Sequence, residues 1–192
     1  MPQRYIDTTL FDLFKVGPGP SSSHTIGPMK AGHHFAETCA ALPRDLLVRA
    51  VRFRVRLYGS LSATGTGHGT DAAVVAGLLG TAPESCPAGL LQELMDDPHT
   101  RRKRSLGDGQ VSVCVDDVSH DAIIHDFPYS NTLVADLLDA EDNVLHSQEY
   151  YSVGGGFIQW KGWEPPSLGK PVHRYSNMTE LRAIVKEKGL NI

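Results

Sequence analysis

The sequence predicts an α/β domain of the α+β type, in which helices pack on a central mixed, largely antiparallel sheet. Three observations support this prediction. A strand with alternating apolar residues leads through a glycine-rich stretch into an apolar helical run. The second half then carries short β-prone runs, and their connections are too short for crossover helices, which favours antiparallel pairing. Hydrophobic residues make up 41% of the 192 residues, which is enough for an ordinary packed core.

The first strand is predicted over residues 49–58. Its apolar residues alternate with arginines at 52, 54 and 56, and we interpret these arginines as a solvated face. The glycine-rich stretch follows as Tyr58-Gly-Ser-Leu-Ser-Ala-Thr-Gly-Thr-Gly-His-Gly-Thr-Asp71. We expect a loop here, because glycines 65, 67 and 69 remove side-chain bulk and allow positive φ. His68 lies in the middle of this stretch and is the first candidate functional residue.

Helices are predicted on both sides of this strand. A capping-box pattern at Thr9 indicates a short helix that ends before Gly17, and Pro28 is acceptable only in the first turn of a helix that covers about 25–42. After the glycine-rich stretch, helices are predicted over 71–80 and over 83–97. The basic residues 101–104 are interpreted as a surface loop.

The second half is predicted to form most of the sheet. Strands are expected at 110–115, 120–127, 133–138 and 144–153. The stretch 162–171 is rich in proline and glycine and is expected to leave the domain, before a last amphipathic helix over 177–189. We therefore predict a domain over 1–161 and a connector with a helix over 162–192.

Composition narrows the possible partners. The net charge of −4 argues against nucleic acid, since phosphate contacts need a basic surface. No secretory segment opens the sequence, and no apolar run is long enough to cross a membrane. Three widely separated cysteines, Cys39, Cys86 and Cys114, fit a reducing cytoplasm and do not form the pattern of a zinc site or an iron–sulfur site.

Two polar segments could form a site for a small anionic molecule. Ser21-Ser-Ser-His-Thr25 precedes one predicted helix, and the glycine-rich stretch precedes another. Helix starts offer free N–H groups to an anion, and His24 and His68 are candidate acid–base groups, although each could equally be a hydrogen-bonded structural residue. A dinucleotide site is disfavoured because Thr70 stands where a third glycine is needed. A phosphate-binding P-loop and a serine nucleophile elbow are also missing.

Three blocks of sequence resemble a known family. Leu10-Phe-Asp-Leu-Phe-Lys-Val-Gly-Pro-Gly-Pro-Ser-Ser-Ser-His-Thr-Ile-Gly-Pro-Met-Lys-Ala-Gly32, the stretch from Tyr58 to Asp71, and Tyr150-Tyr-Ser-Val-Gly-Gly-Gly-Phe157 are similar to blocks of the iron–sulfur-dependent L-serine dehydratases, also called L-serine ammonia-lyases. The blocks occur in the family's order. A later block departs from the family's pattern, because Tyr129-Ser-Asn-Thr-Leu133 has Tyr129 where a histidine is expected.

The resemblance implies that this chain is the β domain or β subunit of such an enzyme. A [4Fe-4S] cluster would be bound by a cysteine-rich α domain or subunit that is absent here, and the chain alone would be inactive. The fold would resemble the allosteric substrate-binding domain of phosphoglycerate dehydrogenases. The implied reaction removes water from L-serine to give pyruvate and ammonia, with an open iron site activating the serine hydroxyl. A homo-oligomer is also expected, and neither nucleic acid nor a membrane is expected as a partner.

The resemblance also implies roles for individual residues. His68 would be the base that takes the α-proton of serine. Substrate contacts would come from Ser21, Ser22, Ser23, His24, Thr25, Thr70, Asp71 and Asn131, and none of these residues would bind a metal. Asp71 could instead orient His68 or cap a helix. The alternative from another class is a non-catalytic regulatory module that binds serine as an effector.

Overall fold

A computed structural model describes residues 14–164 and 173–190 of the chain. Residues Lys15–Trp163 form one compact unit. Its strands are β1 Arg52–Gly59, β2 Arg102–Leu106, β3 Gly109–Val113, β4 Val118–His120, β5 Asn131–Leu138, β6 Val144–Ser152 and β7 Ile158–Trp160. Its helices are a π-helical turn Ser22–Ile26, α1 Gly27–Ala40, α2 Arg44–Arg49, α3 Ser60–His68, α4 Thr70–Leu78 and α5 Leu90–Asp96, with short 3₁₀ turns at Pro83–Ser85 and Val115–Asp117.

The strands form one mixed, largely antiparallel sheet, which confirms the predicted fold class. The order is β2-β3-β1-β5-β6-β7, and β4 also pairs with β1. Strand β1 is parallel to β3 and β4 and antiparallel to β5. The pairs β2–β3, β5–β6 and β6–β7 are antiparallel.

Strand β1 has the alternation that the sequence predicts. Phe53, Val55 and Leu57 are fully buried and join the core under the helices. The interpretation of the arginine face as solvated is wrong, because all three side chains are about two thirds buried and ion-paired. Arg54 and Arg56 both contact the buried carboxylate of Asp136, and Arg52 contacts the carboxylates of residues 117 and 142.

Helix α4 is the buried helix predicted over 71–80. All of its residues are buried, and it packs closely against α1. A Cβ atom added at Gly77 would lie 2.1 Å from the carbonyl oxygen of Met29, and one added at Gly32 would lie 2.4 Å from that of Val74. The two helix backbones therefore touch at glycines, where no side chain fits. The predicted helix over 25–42 is also confirmed, with Pro28 in the first turn of α1.

Two predictions for the second half are wrong. Residues 101–104 do not form a surface loop, because 102–104 belong to strand β2, which forms a hairpin with β3. The charged side chains of β2 are accommodated by ion pairs, including Arg102 with Glu93 and Arg104 with Glu37. The strand predicted over 120–127 covers only His120, the last residue of β4. The last residue of β1 that pairs with β4 is Leu57, opposite His120.

The last helix, α6 Met178–Lys188, lies outside the unit of Lys15–Trp163, in a second unit. It matches the helix predicted over 177–189. Asn177 caps it by accepting a hydrogen bond from the Glu180 N–H, and Gly189 ends it at positive φ. The start of the helix predicted from Thr9 and most of the 162–171 stretch lie outside the described residues. The predicted domain boundaries therefore stay a prediction. No helix in the described part of the chain is long and apolar enough to cross a membrane.

Candidate active site

The stretch from Tyr58 to Asp71 contains the end of β1, one short helix and the start of another, so the predicted loop is wrong. Helix α3 begins directly after β1 and ends at His68, and α4 begins at Thr70. Gly69 makes the corner in the left-handed conformation, with φ of 66°. Two of the other glycines, 65 and 67, lie inside α3. Serine, threonine and glycine are weak helix formers, so contacts from elsewhere in the fold must hold α3 in place.

Gly59 allows the sharp change from strand β1 to helix α3. Its φ is 59°, and an added Cβ would lie 2.1 Å from the carbonyl oxygen of Ser130. That carbonyl accepts the N–H of Ser60 at 3.0 Å, and the carbonyl of Ala122 accepts the N–H of Gly59 at 3.0 Å. The start of α3 is thus fixed to the segment between β4 and β5. Only a residue without a side chain fits at this point.

The other polar segment forms the π-helical turn that precedes α1. Ser21 caps this turn, because its Oγ accepts the backbone N–H of His24 at 3.2 Å. π-helical turns are rare and are often found at functional sites. Here the wider turn leads directly into α1 and presents the imidazole of His24 to α3.

The structure brings His24 and His68 together, as the sequence suggests. Their ring centroids are 4.8 Å apart. The Nδ1 atom of His24 lies 3.0 Å from Ser23 Oγ, and its Nε2 atom lies 3.0 Å from Ser60 Oγ. Burial lowers the pKa of His24, and a charge on His68 would lower it further. His24 is therefore held neutral between two hydroxyl groups.

His68 has one ring nitrogen fixed and one free. Its Nδ1 lies 2.8 Å from the carbonyl oxygen of Thr64, one turn earlier in α3. Because a carbonyl only accepts, Nδ1 must carry a proton, so Nε2 holds the lone pair of a neutral ring. Among the described residues, no group makes a hydrogen bond with this Nε2 atom. His68 thus has the tautomer that a base acting through Nε2 needs.

Thr25 and Thr70 connect the two histidine-bearing segments in a reciprocal way. The hydroxyl of Thr25 donates to the carbonyl of His68 at 3.0 Å, and the hydroxyl of Thr70 donates to the carbonyl of His24 at 2.6 Å. Both threonines are fully buried. Their hydroxyls are committed to these carbonyls, so they fix the positions of the histidines.

The remaining predicted residues differ in their surroundings. Ser22 is exposed and makes no side-chain hydrogen bond within the described part of the chain. The Nδ2 of Asn131 lies 3.5 Å from the carbonyl oxygen of Ser152, whose Oγ donates to the carbonyl of Ser23 at 2.8 Å. The Oδ1 of Asn131 is buried and has no described hydrogen-bond partner. Asn131 therefore keeps an unused acceptor on the same side of the sheet as the histidines.

Asp71 neither caps α4 nor contacts His68 in the described structure, which corrects both alternatives considered for it. Gly69 is the N-cap of α4, and no side chain caps this helix. The carboxylate of Asp71 instead meets His120, whose Nε2 lies 3.0 Å from Oδ1 and 3.2 Å from Oδ2. Sequence reasoning missed His120 because nothing around it in the chain distinguishes it from an ordinary residue of a strand. Ser60 and Ser152 also had no assigned role, although both lie within the blocks quoted above.

A cavity of about 720 Å³ opens beside His68. This volume is typical of small-molecule sites and is far larger than L-serine. Its walls come from residues 16–20, the end of α3 with the Gly69 corner, the segment between α4 and α5, and α5 itself, and they are rich in proline and glycine. The side chains with polar groups on the walls are Thr66, His68, Glu84, Cys86 and Gln92.

The described residues do not form a metal or cluster site. No group of three or more histidine, cysteine, aspartate or glutamate side chains is placed to hold a metal ion. Cys39 and Cys114 are buried apart from each other in the fold, and burial raises the pKa of the Cys39 thiol to about 12. A [4Fe-4S] cluster, which needs several nearby thiolates, does not fit these residues.

Taken together, the fold and the site define a class: a helix-covered mixed sheet that holds a histidine pair beside a small-molecule cavity. Within that class the sequence matches one family, the serine dehydratase beta chain, over residues 9–163. The chain belongs to this family.

Individual relatives are bacterial L-serine dehydratases. The chain is 36% identical over 193 residues to L-serine dehydratase 2 of Escherichia coli (strain K12), covering 96% of this chain and 41% of that protein. It is 38% identical over 194 residues to the L-serine dehydratase of Streptomyces coelicolor, covering 96% of this chain and 42% of that protein. The chain therefore spans about two fifths of the length of these relatives.

Proposed function

We propose that this chain is the β portion of an L-serine ammonia-lyase and that His68 is the base of the reaction. The observation that carries the proposal is the state of the His68 ring. The Thr64 carbonyl fixes the proton on Nδ1, and the unpartnered Nε2 belongs to a side chain that lines the cavity. Membership of the serine dehydratase beta chain family and the relatives' names supply the substrate, L-serine.

The proposed chemistry begins with proton transfer to His68. Its Nε2 takes the α-proton of L-serine, and the electron pair left on the α-carbon forms the double bond as the hydroxyl leaves the β-carbon as hydroxide. The hydroxide takes up the proton that His68 removed, so His68 is neutral again and the products are aminoacrylate and water. Hydrolysis of aminoacrylate then gives pyruvate and ammonia. A neutral histidine suits this role because its ordinary pKa lies close to physiological pH.

The residues around His68 have distinct proposed roles. Thr25 and Thr70 position the two histidines, because their hydroxyls are already bonded to the histidine carbonyls. Neutral His24 adds no second positive charge near His68. Substrate contacts are proposed for Ser22, whose exposed hydroxyl makes no hydrogen bond with the described residues, and for Asn131, whose amide oxygen has no partner among them.

The rest of the site is proposed to lie on a partner. The matched relatives extend well beyond this chain, and a [4Fe-4S] cluster would have to be held by that further α portion, since the described residues do not fit it. The size of the cavity beside His68 agrees with a site that another domain or subunit narrows. Self-association and a cytoplasmic location stay predictions.

The test is kinetic and uses the chain together with its α portion. His68→Ala should lower kcat by about 10²–10⁴-fold, which is the usual contribution of a general base, while the protein stays folded and loaded with its cofactor. Added imidazole should restore part of the activity, because the cavity has room for it. His99→Ala is the matched control. His99 is an exposed histidine paired with Asp116 at 2.6 Å, outside the cavity, and its replacement should leave turnover unchanged.

The opposite result would favour a different function. Near-normal turnover in His68→Ala, together with a changed response to serine concentration, contradicts the assignment of the base. It would favour the regulatory module that binds serine as an effector.

A further inference from the structure

We propose that His120 is a positioning residue: its imidazolium braces helix α3 against helix α4 and so fixes the orientation of His68. The bracing itself is independent of the reaction. Its consequence for turnover rests on the proposed role of His68 as the base.

The first argument is that the His120 ring faces an acceptor at each nitrogen. Nδ1 lies 2.9 Å from the carbonyl oxygen of Ser62, and Nε2 lies 3.0–3.2 Å from the two carboxylate oxygens of Asp71. A carbonyl and a carboxylate can only accept, so both ring nitrogens must donate. Only the doubly protonated imidazolium satisfies both contacts.

The second argument is that the ring spans both helices at the Gly69 corner. Ser62 lies in the first turn of α3, whereas Asp71 lies in the first turn of α4. Between them the ring passes close to Gly65, where an added Cβ would lie 3.2 Å from Cε1 of His120. The ring therefore ties α3 to α4 along the side that contacts β4. His68 is the last residue of α3, so its position depends on this corner.

Asp71 is an almost fully buried carboxylate whose one described polar partner is His120. Its side chain is 9% exposed, and among the described residues only His120 forms a hydrogen bond with it, at Oδ2, whereas Oδ1 lies 3.0 Å from the same nitrogen without a hydrogen bond of its own. A buried carboxylate without a partner is costly. The N-terminus of α4 favours a negative charge but supplies no direct hydrogen bond to it. The contact with His120 therefore offsets part of the cost of burying the Asp71 carboxylate.

The charged surroundings of His120 agree with this assignment. From α4 it faces Asp71. From α3 it faces the Ser62 carbonyl and the Thr66 hydroxyl, and in β1 it is paired with the apolar Leu57. Partial burial lowers the pKa of His120, but the Ser62 carbonyl and the Asp71 carboxylate outweigh this effect, so that the pKa is raised above 6.5.

The first test is a nitrogen NMR titration of the histidine side chains in the unmodified chain. His120 should be protonated at both nitrogens at neutral pH. As the pH rises and His120 loses a proton, one of its two hydrogen bonds is lost, and the His68 signals should shift at the same pH. A neutral His120 at neutral pH, or His68 signals that do not follow His120, would overturn the proposal. This measurement requires neither a variant nor catalytic activity.

The second test uses His120→Gln in the chain assembled with its α portion. A small displacement of a catalytic group costs roughly ten- to a hundred-fold in rate, so kcat should fall by that factor with little change in KM. In the unmodified enzyme, kcat should decline at alkaline pH as His120 loses its proton. This decline should be absent in His120→Gln. The double variant Asp71→Asn/His120→Gln should have a kcat no lower than that of the less active single variant, because the two residues act as one unit. His99→Gln, which alters an exposed histidine–aspartate pair, is the control and should change none of these quantities.

Two failures can be told apart. If His120→Gln leaves kcat and its pH profile unchanged while His68→Ala abolishes turnover, the positioning role of His120 is wrong and the proposed function stands. If His68→Ala is active but the His68 signals of the unmodified chain shift at the pH at which His120 loses a proton, the proposed base is wrong and the positioning role of His120 stands.

Discussion

Two polar clusters of this protein differ in whether their hydrogen-bond acceptors are used up. On one face of the sheet, the buried carboxylate of Asp136 accepts from Arg54, Arg56 and Ser147, at distances from 2.7 to 3.5 Å. At the helical corner, His68 lines a cavity, and its Nε2 has no hydrogen-bond partner within residues 14–164 and 173–190. The first cluster leaves its acceptor no room for a ligand, whereas the second leaves a proton acceptor unused. Saturation is typical of a structural role, and spare capacity next to a cavity is typical of a functional site.

The largest expected effect comes from breaking the saturated cluster. Asp136→Ala leaves two partly buried arginines without their shared acceptor, and the Asp136 side chain is only 1% exposed. We expect the free energy of unfolding to fall by about 3 kcal/mol, measured by urea denaturation. Turnover per folded molecule should not change. Arg44→Gln is the control, because it removes an exposed ion pair with Asp108 and should not measurably change stability. A loss of turnover without a loss of stability in Asp136→Ala would instead indicate a functional role for the Asp136 cluster.

The next effect compares two buried threonines that make the same hydrogen bond. The hydroxyl of Thr70 donates to the His24 carbonyl at 2.6 Å, and the hydroxyl of Thr132 donates to the Tyr129 carbonyl at 2.6 Å. Both residues are fully buried. Thr70→Val and Thr132→Val should each lower the free energy of unfolding by about 1–2 kcal/mol, because each leaves a carbonyl without its donor.

Only Thr70→Val should also lower kcat, because only Thr70 fixes a segment that carries a histidine of the candidate site. The measurement is urea denaturation and turnover on the same preparations. Equal losses of turnover in the two variants would mean that kcat responds to stability in general and not to the position of His24.

The sequence was sufficient to predict those elements whose own residue pattern determines how they are buried. The alternation in β1 and the continuous apolar run of α4 each predict their own burial, since core packing is what these patterns encode. It was insufficient for α3, whose serines, threonines and glycines are typical of a loop. Helix α3 depends on contacts between Ser60 and His24 and between Ser62 and His120, and these partners are far away in the chain.

The candidate site shows the same division. His24 and His68 could be singled out because each lies in an unusual polar, glycine-flanked segment. The role of Thr25 and Thr70 as links between the two segments could not be predicted, because it depends on how the π-helical turn meets α3. His120 has no local signal at all, and only the strand register brings it to Asp71.

The smallest expected effect is a loss of stability in acid that arises from neutral histidines. Burial lowers the pKa of His24, His34 and His146 from 6.5. In the unfolded chain these residues take up protons near pH 6.5, whereas in the folded protein they resist protonation. Their contribution to stability is therefore complete above pH 6.5 and is lost as the pH falls through their lowered pKa values. The effect should be modest, because each ring is only partly buried and solvent screens its charge.

His120 should act in the opposite direction. Its pKa is raised, so its contribution is complete below pH 6.5 and is lost as the pH rises through the raised value. Urea denaturation from about pH 5 to about pH 9 should show both trends. His146→Gln should reduce the acid loss alone, and His120→Gln should remove the alkaline loss alone. A variant that altered both the acid loss and the alkaline loss of stability would indicate that the two sets of histidines are coupled through the sheet. The helical corner would then not respond to pH independently of the rest of the fold.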